Sequence, residues 1–398
     1  MDVERKEIIL AFLKSGFQLH PKAIEFLSQH EDKVNELIKK LSSVKPKPLI
    51  VTLEMVKDLL EEKTRKEKTR GKVKIIRKFE VQKEKRSVDD VLNYLLDRYE
   101  KMKKILITRL DLVNLISINK LTSRTQKFSI IGIVREKNQH TKQLVIEDPT
   151  GELTLTADEK FFEEIVLDDV LGFKCEREGN NFIVKDVVWP DVPLFHSINK
   201  TNDDVQALFI SDIHFNKPNF KKDSYKKFLA WINSLDKLDY LFILGDIGSS
   251  NVFKDLEGDY TVIFCKGNTD NGLEVPSNVI QVPDPALLKI HDSIKILVTH
   301  GKFLEKYKLL FKTEEPVEIL NSLLKRRHLD PVIDLVNLPK EDIFVLDTIP
   351  DIFVTGHFHK PGFKNYKGVT LISCGSFVSD PTYFLVNLKT REVVEKRF

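Results

Sequence analysis

Leu208-Phe-Ile-Ser-Asp-Ile-His214 is a short apolar run that stops at an aspartate and a histidine. A run of this length reads as a buried strand, and a carboxylate with an imidazole at its end suits a hard or borderline divalent metal. The pattern recurs downstream. Residues 240–244 lead into Gly245-Asp246, and 262–265 lead into Lys266-Gly267-Asn268-Thr269-Asp270. Residues 294–298 end in Thr299-His300-Gly301, and 352–354 end in Thr355-Gly356-His357-Phe358-His359. Amphipathic stretches intervene, one marked by Tyr225, Phe228, Leu229 and Ile232 and another spanning 317–327. Strands alternating with helices, with functional groups at the strand ends, predict an α/β layered sandwich over residues 196–398.

Upstream the periodicity is different. Residues 1–60 carry apolar side chains at helical spacing (Ile8, Phe12, Leu13, then Ile24, Leu27, Val34, Leu37, Leu41), which predicts a small helical module for docking or dimerisation. Residues 61–88 hold twelve Lys or Arg against five Glu and few large apolar groups. They are expected to form a solvated basic linker, either a plain tether or a salt-sensitive hold on DNA phosphates. Ser87-Val-Asp-Asp90 then reads as an N-cap with acidic first-turn residues opening a helix, so that 61–104 are linker and helix. Over 105–195 five short strands with turn signals between them, and one helical stretch at 159–166, match an all-β OB barrel. Such barrels bind single-stranded nucleic acid or another protein; few aromatics interleave with basic residues here, which favours protein. Trp189-Pro-Asp-Val-Pro193 marks the boundary to the sandwich.

The net charge of +3, from 63 Lys and Arg against 60 Asp and Glu, gives the whole chain no strong preference for polyanions, so any nucleic-acid footprint is local. The three cysteines stand singly, as expected in a reducing compartment. Charges break up the start, MDVERKEIIL, and no apolar run reaches the ~18 residues of a membrane span, so a cytoplasmic protein without membrane contact is expected.

Seven side chains are candidate metal ligands: Asp212, His214, Asp246, Asn268, His300, His357 and His359. Two ions a few ångströms apart need about this many groups and one bridging carboxylate, here assigned to Asp246 because its glycine neighbour leaves room on both sides. A dinuclear site of this kind clamps a phosphoryl group and acidifies a water, so phosphate esters are the expected substrates. Mixed nitrogen and oxygen donors suit manganese, iron(II) or zinc, and the absence of thiolates argues against structural zinc. His20, His30, His140 and His196 show no such placement.

The motifs D-x-H (212–214), G-D (245–246), G-N-x-D (267–270), H-G (300–301) and G-H-x-H (356–359) resemble those of the calcineurin-like metallophosphoesterases. Leu324-Lys-Arg-Arg-His-Leu-Asp-Pro331, with residues 345–352 and 368–376, the barrel and the PDVP boundary, is further similar to the small subunits of archaeal family-D DNA polymerases. The resemblance implies a 3′→5′ proofreading exonuclease that partners a large catalytic subunit and acts on primer ends and single-stranded DNA, usually with two manganese ions. It implies Asp212, His214, Asp246 and His359 on one metal and Asp246, Asn268, His300 and His357 on the other. Asp246, Asn268, Thr269 and His300 are expected to act in catalysis, although Thr269 stands where the family has a histidine beside the reacting phosphate. Lys325, Arg326 and Arg327 are expected to contact DNA phosphates at the mouth of the site, and His328 is a candidate to replace the missing histidine. The alternatives are a mainly structural polymerase subunit with weak nuclease and a free-standing phosphodiesterase.

Overall fold

The computed structural model describes residues 3–43, 48–70, 72–80, 87–334 and 338–398. They divide into two compact units, residues 1–72 with 257–261, and 73–256 with 262–398. The first contains helices α1 (Val3–Lys14), α2 (Pro21–Leu27), α3 (Val34–Ser43) and α4 (Leu53–Arg70). Phe12, Leu27, Leu37, Leu41 and Val56 are buried in its core, which the helical spacing of these apolar residues explains.

The basic stretch is not a loose tether where it is described. Its first part is the end of α4, and Val73–Lys78 form strand β1, which joins a sheet of the second unit. Lys83, Lys85 and Arg86 lie outside the described residues. Composition misleads here because an edge strand is held by backbone hydrogen bonds and tolerates charged side chains on its free side. Arg77 adds to this hold. Its guanidinium donates to the carbonyls of Val345 and Ile343, both at 2.8 Å, and Phe79 enters the core behind it. Helix α5 (Val88–Leu106) follows, with the expected cap: Ser87 Oγ accepts from Asp90 N, and Asp90 returns a bond to Ser87 N.

Strands β2 (Lys127–Asn138), β3 (Gln143–Asp148), β4 (Gly151–Thr156), β5 (Val170–Glu178) and β6 (Asn181–Val188) close into a barrel in the order β2-β3-β4-β6-β5, with helix α6 (Glu159–Glu164) between β4 and β5. Alternating burial along β3 shows why it forms: one face fills the barrel core with Leu144 and Ile146, the other is wet.

The remaining chain, together with β1, builds two six-stranded mixed sheets. In order of sequence their elements are β7 (Gln206–Ile210), α7 (Lys222–Ile232), β8 (Tyr240–Ile243), β9 (Thr261–Cys265), β10 (Ile280–Val282), β11 (Ala286–Ile290) and β12 (Ile294–Thr299). Then come α8 (Lys306–Leu310), α9 (Pro316–Arg326), β13 (Ile352–Thr355), β14 (Gly362–Tyr366), β15 (Val369–Ser373), β16 (Thr382–Asn387) and β17 (Val393–Arg397). The sheet orders are β10-β9-β8-β7-β16-β17 and β14-β15-β13-β12-β11-β1. Strands β7 and β8 run parallel, as do β12 and β13, so the polar residues following each pair emerge at the same sheet edge. Their apolar runs are buried on both faces, as continuous hydrophobic strands require. Among the described residues no helix is long and apolar enough to cross a membrane.

Candidate metal centre

The loops after β7 and β8 extend the ladder of those strands. Asp212 N donates to Gly245 O at 3.0 Å, and His214 N to Asp246 O at 2.9 Å. The loop after β13 crosses from the other sheet, where His357 N donates to Asp212 Oδ2 at 2.7 Å. The neighbourhood is crowded with backbone. A Cβ on Gly245 would meet Gly267 Cα at 2.5 Å, and one on Gly356 would overlap Ser211 Oγ. The glycine before Asp246 therefore serves the close approach of two loops rather than leaving room for ions on both sides. Asp270 fastens these loops by accepting from Asp246 N at 2.7 Å, Ile247 N at 3.0 Å and Gly267 N at 2.9 Å.

Asp212, His214, Asp246, His357 and His359 all have positive φ, between 50° and 67°. Left-handed backbone is uncommon in residues other than glycine and costs on the order of 1–3 kcal/mol each. Five such residues at one sheet edge mean that the surrounding structure holds these side chains against their local preference.

All seven ligand candidates meet at this edge. His214 Nε2 lies 3.1 Å from His359 Nε2. Asp246 lies between the two sides, with Oδ2 3.9 Å from His214 Nε2 and Oδ1 3.6 Å from His300 Nε2. His300 Nε2 is 2.9 Å from Asn268 Oδ1, and the rings of His300 and His357 are 5.1 Å apart. Ligand atoms of Asp212, His214 and His359, and again of Asp212, Asp246 and His300, lie within 4.8 Å of one another. Asp212 is thus common to both groups.

These contacts suit a cation better than they suit each other. His300 Nδ1 lies 2.7 Å from Leu244 O, which can only accept, so that nitrogen carries the proton and Nε2 presents a lone pair. Opposite it stands a second acceptor, Asn268 Oδ1. Asp212 Oδ1 is buried, 3.2 Å from His359 Nε2 and 3.5 Å from His214 Nε2, yet has no hydrogen-bond partner among the described residues. A buried carboxylate oxygen without a partner is costly in protein and is relieved by a metal. Burial, with His300 nearby, lowers the His357 imidazole and favours its neutral, ligating form. The donor set therefore fits divalent cations.

A cavity of about 280 Å³ opens on the cluster. Thr269 lines it, its N–H donating to Asp246 Oδ1 at 2.9 Å. So do Lys217, Glu305, Lys308 and Phe358, which the sequence reading passed over. Lys217 follows His214 by three residues and Phe358 separates the two motif histidines, so both had a local signal; Glu305 and Lys308 are brought in by tertiary structure alone.

The expected DNA contacts lie elsewhere. Arg326 is 2% exposed, with Nε 3.0 Å from Asp169 Oδ1 and its guanidinium between the rings of Trp189 and Phe311. Arg327, 4% exposed, donates to Leu346 O at 2.6 Å and Asp347 O at 2.7 Å, and burial pushes it down to about 10. Lys325 pairs with Glu164 and covers Trp189. These residues join α9 to the barrel and do not line the cavity; buried guanidinium groups already paired cannot turn to phosphates. His328 is buried too, with Nε2 2.8 Å from Asp342 Oδ2 and Nδ1 accepting from Asp330 N, so it is in no position to replace a histidine at Thr269.

Residues 205–391 match the model of the calcineurin-like phosphoesterase superfamily domain. The whole chain is similar to the DNA polymerase II small subunit of Methanothermobacter thermautotrophicus, at 27% identity over 95% of this chain and 94% of that one. It is also similar to that of Archaeoglobus fulgidus, at 24% identity over 94% and 92%. A solved archaeal phosphodiesterase aligns with 49% of this chain and 100% of its own at 18% identity and a TM-score of 0.33.

Proposed function

We propose, from the premise that this chain belongs with the archaeal DNA polymerase II (family-D) small subunits and carries a calcineurin-like phosphoesterase domain, that it acts as a metal-dependent 3′→5′ proofreading exonuclease docked on a large catalytic subunit. The observation that carries this reading is the buried Asp212 Oδ1, without a hydrogen-bond partner among the described residues, among imidazoles at the shared sheet edge. Asp212, His214, Asp246 and His359 would hold one divalent ion, and Asp246, Asn268, His300 and His357 a second, with manganese first choice and iron(II) or zinc as alternatives. Bound there, such ions supply Lewis acidity toward a phosphoryl group and toward water.

The chain's own residues do the rest. Leu244 O keeps the His300 proton on Nδ1 and its Nε2 free. Asp270 clamps the loops that carry Asp246 and Asn268. Thr269, at the cavity wall, offers the departing sugar 3′-oxygen a neutral hydroxyl donor where a histidine could offer a proton. That exchange is what favours the second reading, a mainly structural subunit whose nuclease is weak. We read the five-stranded barrel as an OB fold and, with few aromatics among its basic residues, as a protein-binding part of the assembly. The test is digestion of end-labelled single-stranded and mismatched primer DNA with manganese. Wild type should shorten the 3′ end and Asp246→Ala should not; equal digestion by both refutes the assigned site.

A further inference from the structure

Lys325, Arg326 and Arg327 do not line the cavity, but the cavity has groups of its own that can hold a substrate. Nearly every group lining it is polar or charged, with one exception. Phe358 presents a half-buried ring, tilted at 70° to that of His357 with 5.8 Å between centroids. It packs against the core formed by Leu304, Tyr307 and their neighbours. Besides that core and the His357 ring, the described residues place over it the ammonium of Lys308, so a base can stack on this ring once the flexible lysine turns from it to a phosphate. Two cations flank the ring. Lys217 is exposed at the end of the turn in which its N–H donates to His214 O at 2.9 Å. Lys308, on α8, lies over the Phe358 ring, with Nζ 5.3 Å from its centre. Its only near carboxylate among the described residues is the exposed Glu314 at 3.6 Å, a contact that a phosphate can displace at little cost. At about 280 Å³ the space is near the lower limit of ~300 Å³ for small-molecule pockets.

We propose that Phe358 is the stacking platform for the 3′-terminal base of a single strand, and that Lys217 and Lys308 hold the adjoining backbone phosphates. This rests on the exonuclease reading and names the side chains that hold the unpaired 3′ end which that reading already gives the site. Every base has a π face, so the platform accepts any sequence, while a paired terminal base cannot reach it. Frayed mismatched ends are therefore admitted and matched ends are not.

The test removes the same contact from both sides. Full-length protein digests single-stranded oligonucleotides that end in an ordinary or an abasic 3′ unit. Wild type should prefer the base-bearing end by about tenfold in kcat/KM, a size typical of one base–aromatic stack. Phe358→Ala should treat the two ends alike, and Phe358→Trp, which keeps a platform, should retain the preference. Combined Lys217→Ala and Lys308→Ala should reduce the salt dependence of KM by about 0.7 of a log unit per lost contact. A preference that survives in Phe358→Ala, or one absent from wild type, overturns the stack; an unchanged salt slope overturns the lysine contacts. Asp246-dependent hydrolysis of an aryl phosphodiester by a wild type that digests no DNA would instead strike down the exonuclease reading.

Discussion

The sheet edge that carries His214, His300, His357 and His359 and the segment 325–328 that carries Lys325, Arg326, Arg327 and His328 are both rich in the side chains that bind phosphates and metals. Their bonding is opposite. In the segment each side chain has found its partner within the protein: Asp169 for Arg326, the carbonyls of Leu346 and Asp347 for Arg327, Asp342 for His328. At the sheet edge an aspartate oxygen has none among the described residues, acceptors face one another, and the backbone is left-handed at five residues, against Arg327 alone in the segment. A buried polar residue that is satisfied holds the fold together, whereas one kept unsatisfied at the expense of backbone strain is kept for something that binds. Residue type alone does not separate the two cases.

The contrast breaks most visibly at Arg326. If its work is to pair with Asp169, Arg326→Ala leaves a buried carboxylate alone and should cost about 3–5 kcal/mol, read as a lower urea midpoint. The salt dependence of DNA digestion, per folded molecule, should stay as in wild type. A normal midpoint with a flattened salt dependence would return Arg326 to the DNA.

Thr269 sharpens the comparison from the other side, since it stands among unsatisfied groups as a weak donor. General acid help is worth ~10²–10⁴ in rate and matters most for a poor leaving group. Thr269→His should therefore raise the ratio of DNA to aryl phosphodiester cleavage at least several-fold. No change in that ratio would mean that protonation of the 3′-oxygen does not limit the reaction. The burial of His328 removes the rival explanation in which it swings in, so Thr269 carries this test alone.

Much of the site was legible because two signals coincided at each position: an apolar run that could only be an interior strand, and a ligand-type residue at its end. The five barrel strands were legible for a similar reason, from alternation bounded by turns. Strand β1 was not, because its stability resides in a backbone ladder with β11 and in Arg77 reaching Ile343 and Val345, neither of which alters local composition. Arg326 was misread because its partner lies 157 residues away and nothing near it announces burial. Lys308 was missed because α8 meets the strand ends only in three dimensions.

The smallest expected effect concerns strain. In chelator-treated protein, His359→Gly should relieve a left-handed residue worth ~1–2 kcal/mol and give back ~0.4–1 kcal/mol through a more flexible unfolded chain. The net gain should be a slightly higher Tm, although a candidate ligand has been lost. A clear fall in Tm would mean that His359 supports the fold as Arg326 does.

The central claim is that the unsatisfied edge is a site for two divalent ions. Calorimetric titration of manganese into chelator-stripped full-length protein tests it directly. Wild type should take up two ions and Asp246→Ala no more than one. Failure of wild type to bind, or binding that Asp246→Ala leaves unchanged, would contradict the account.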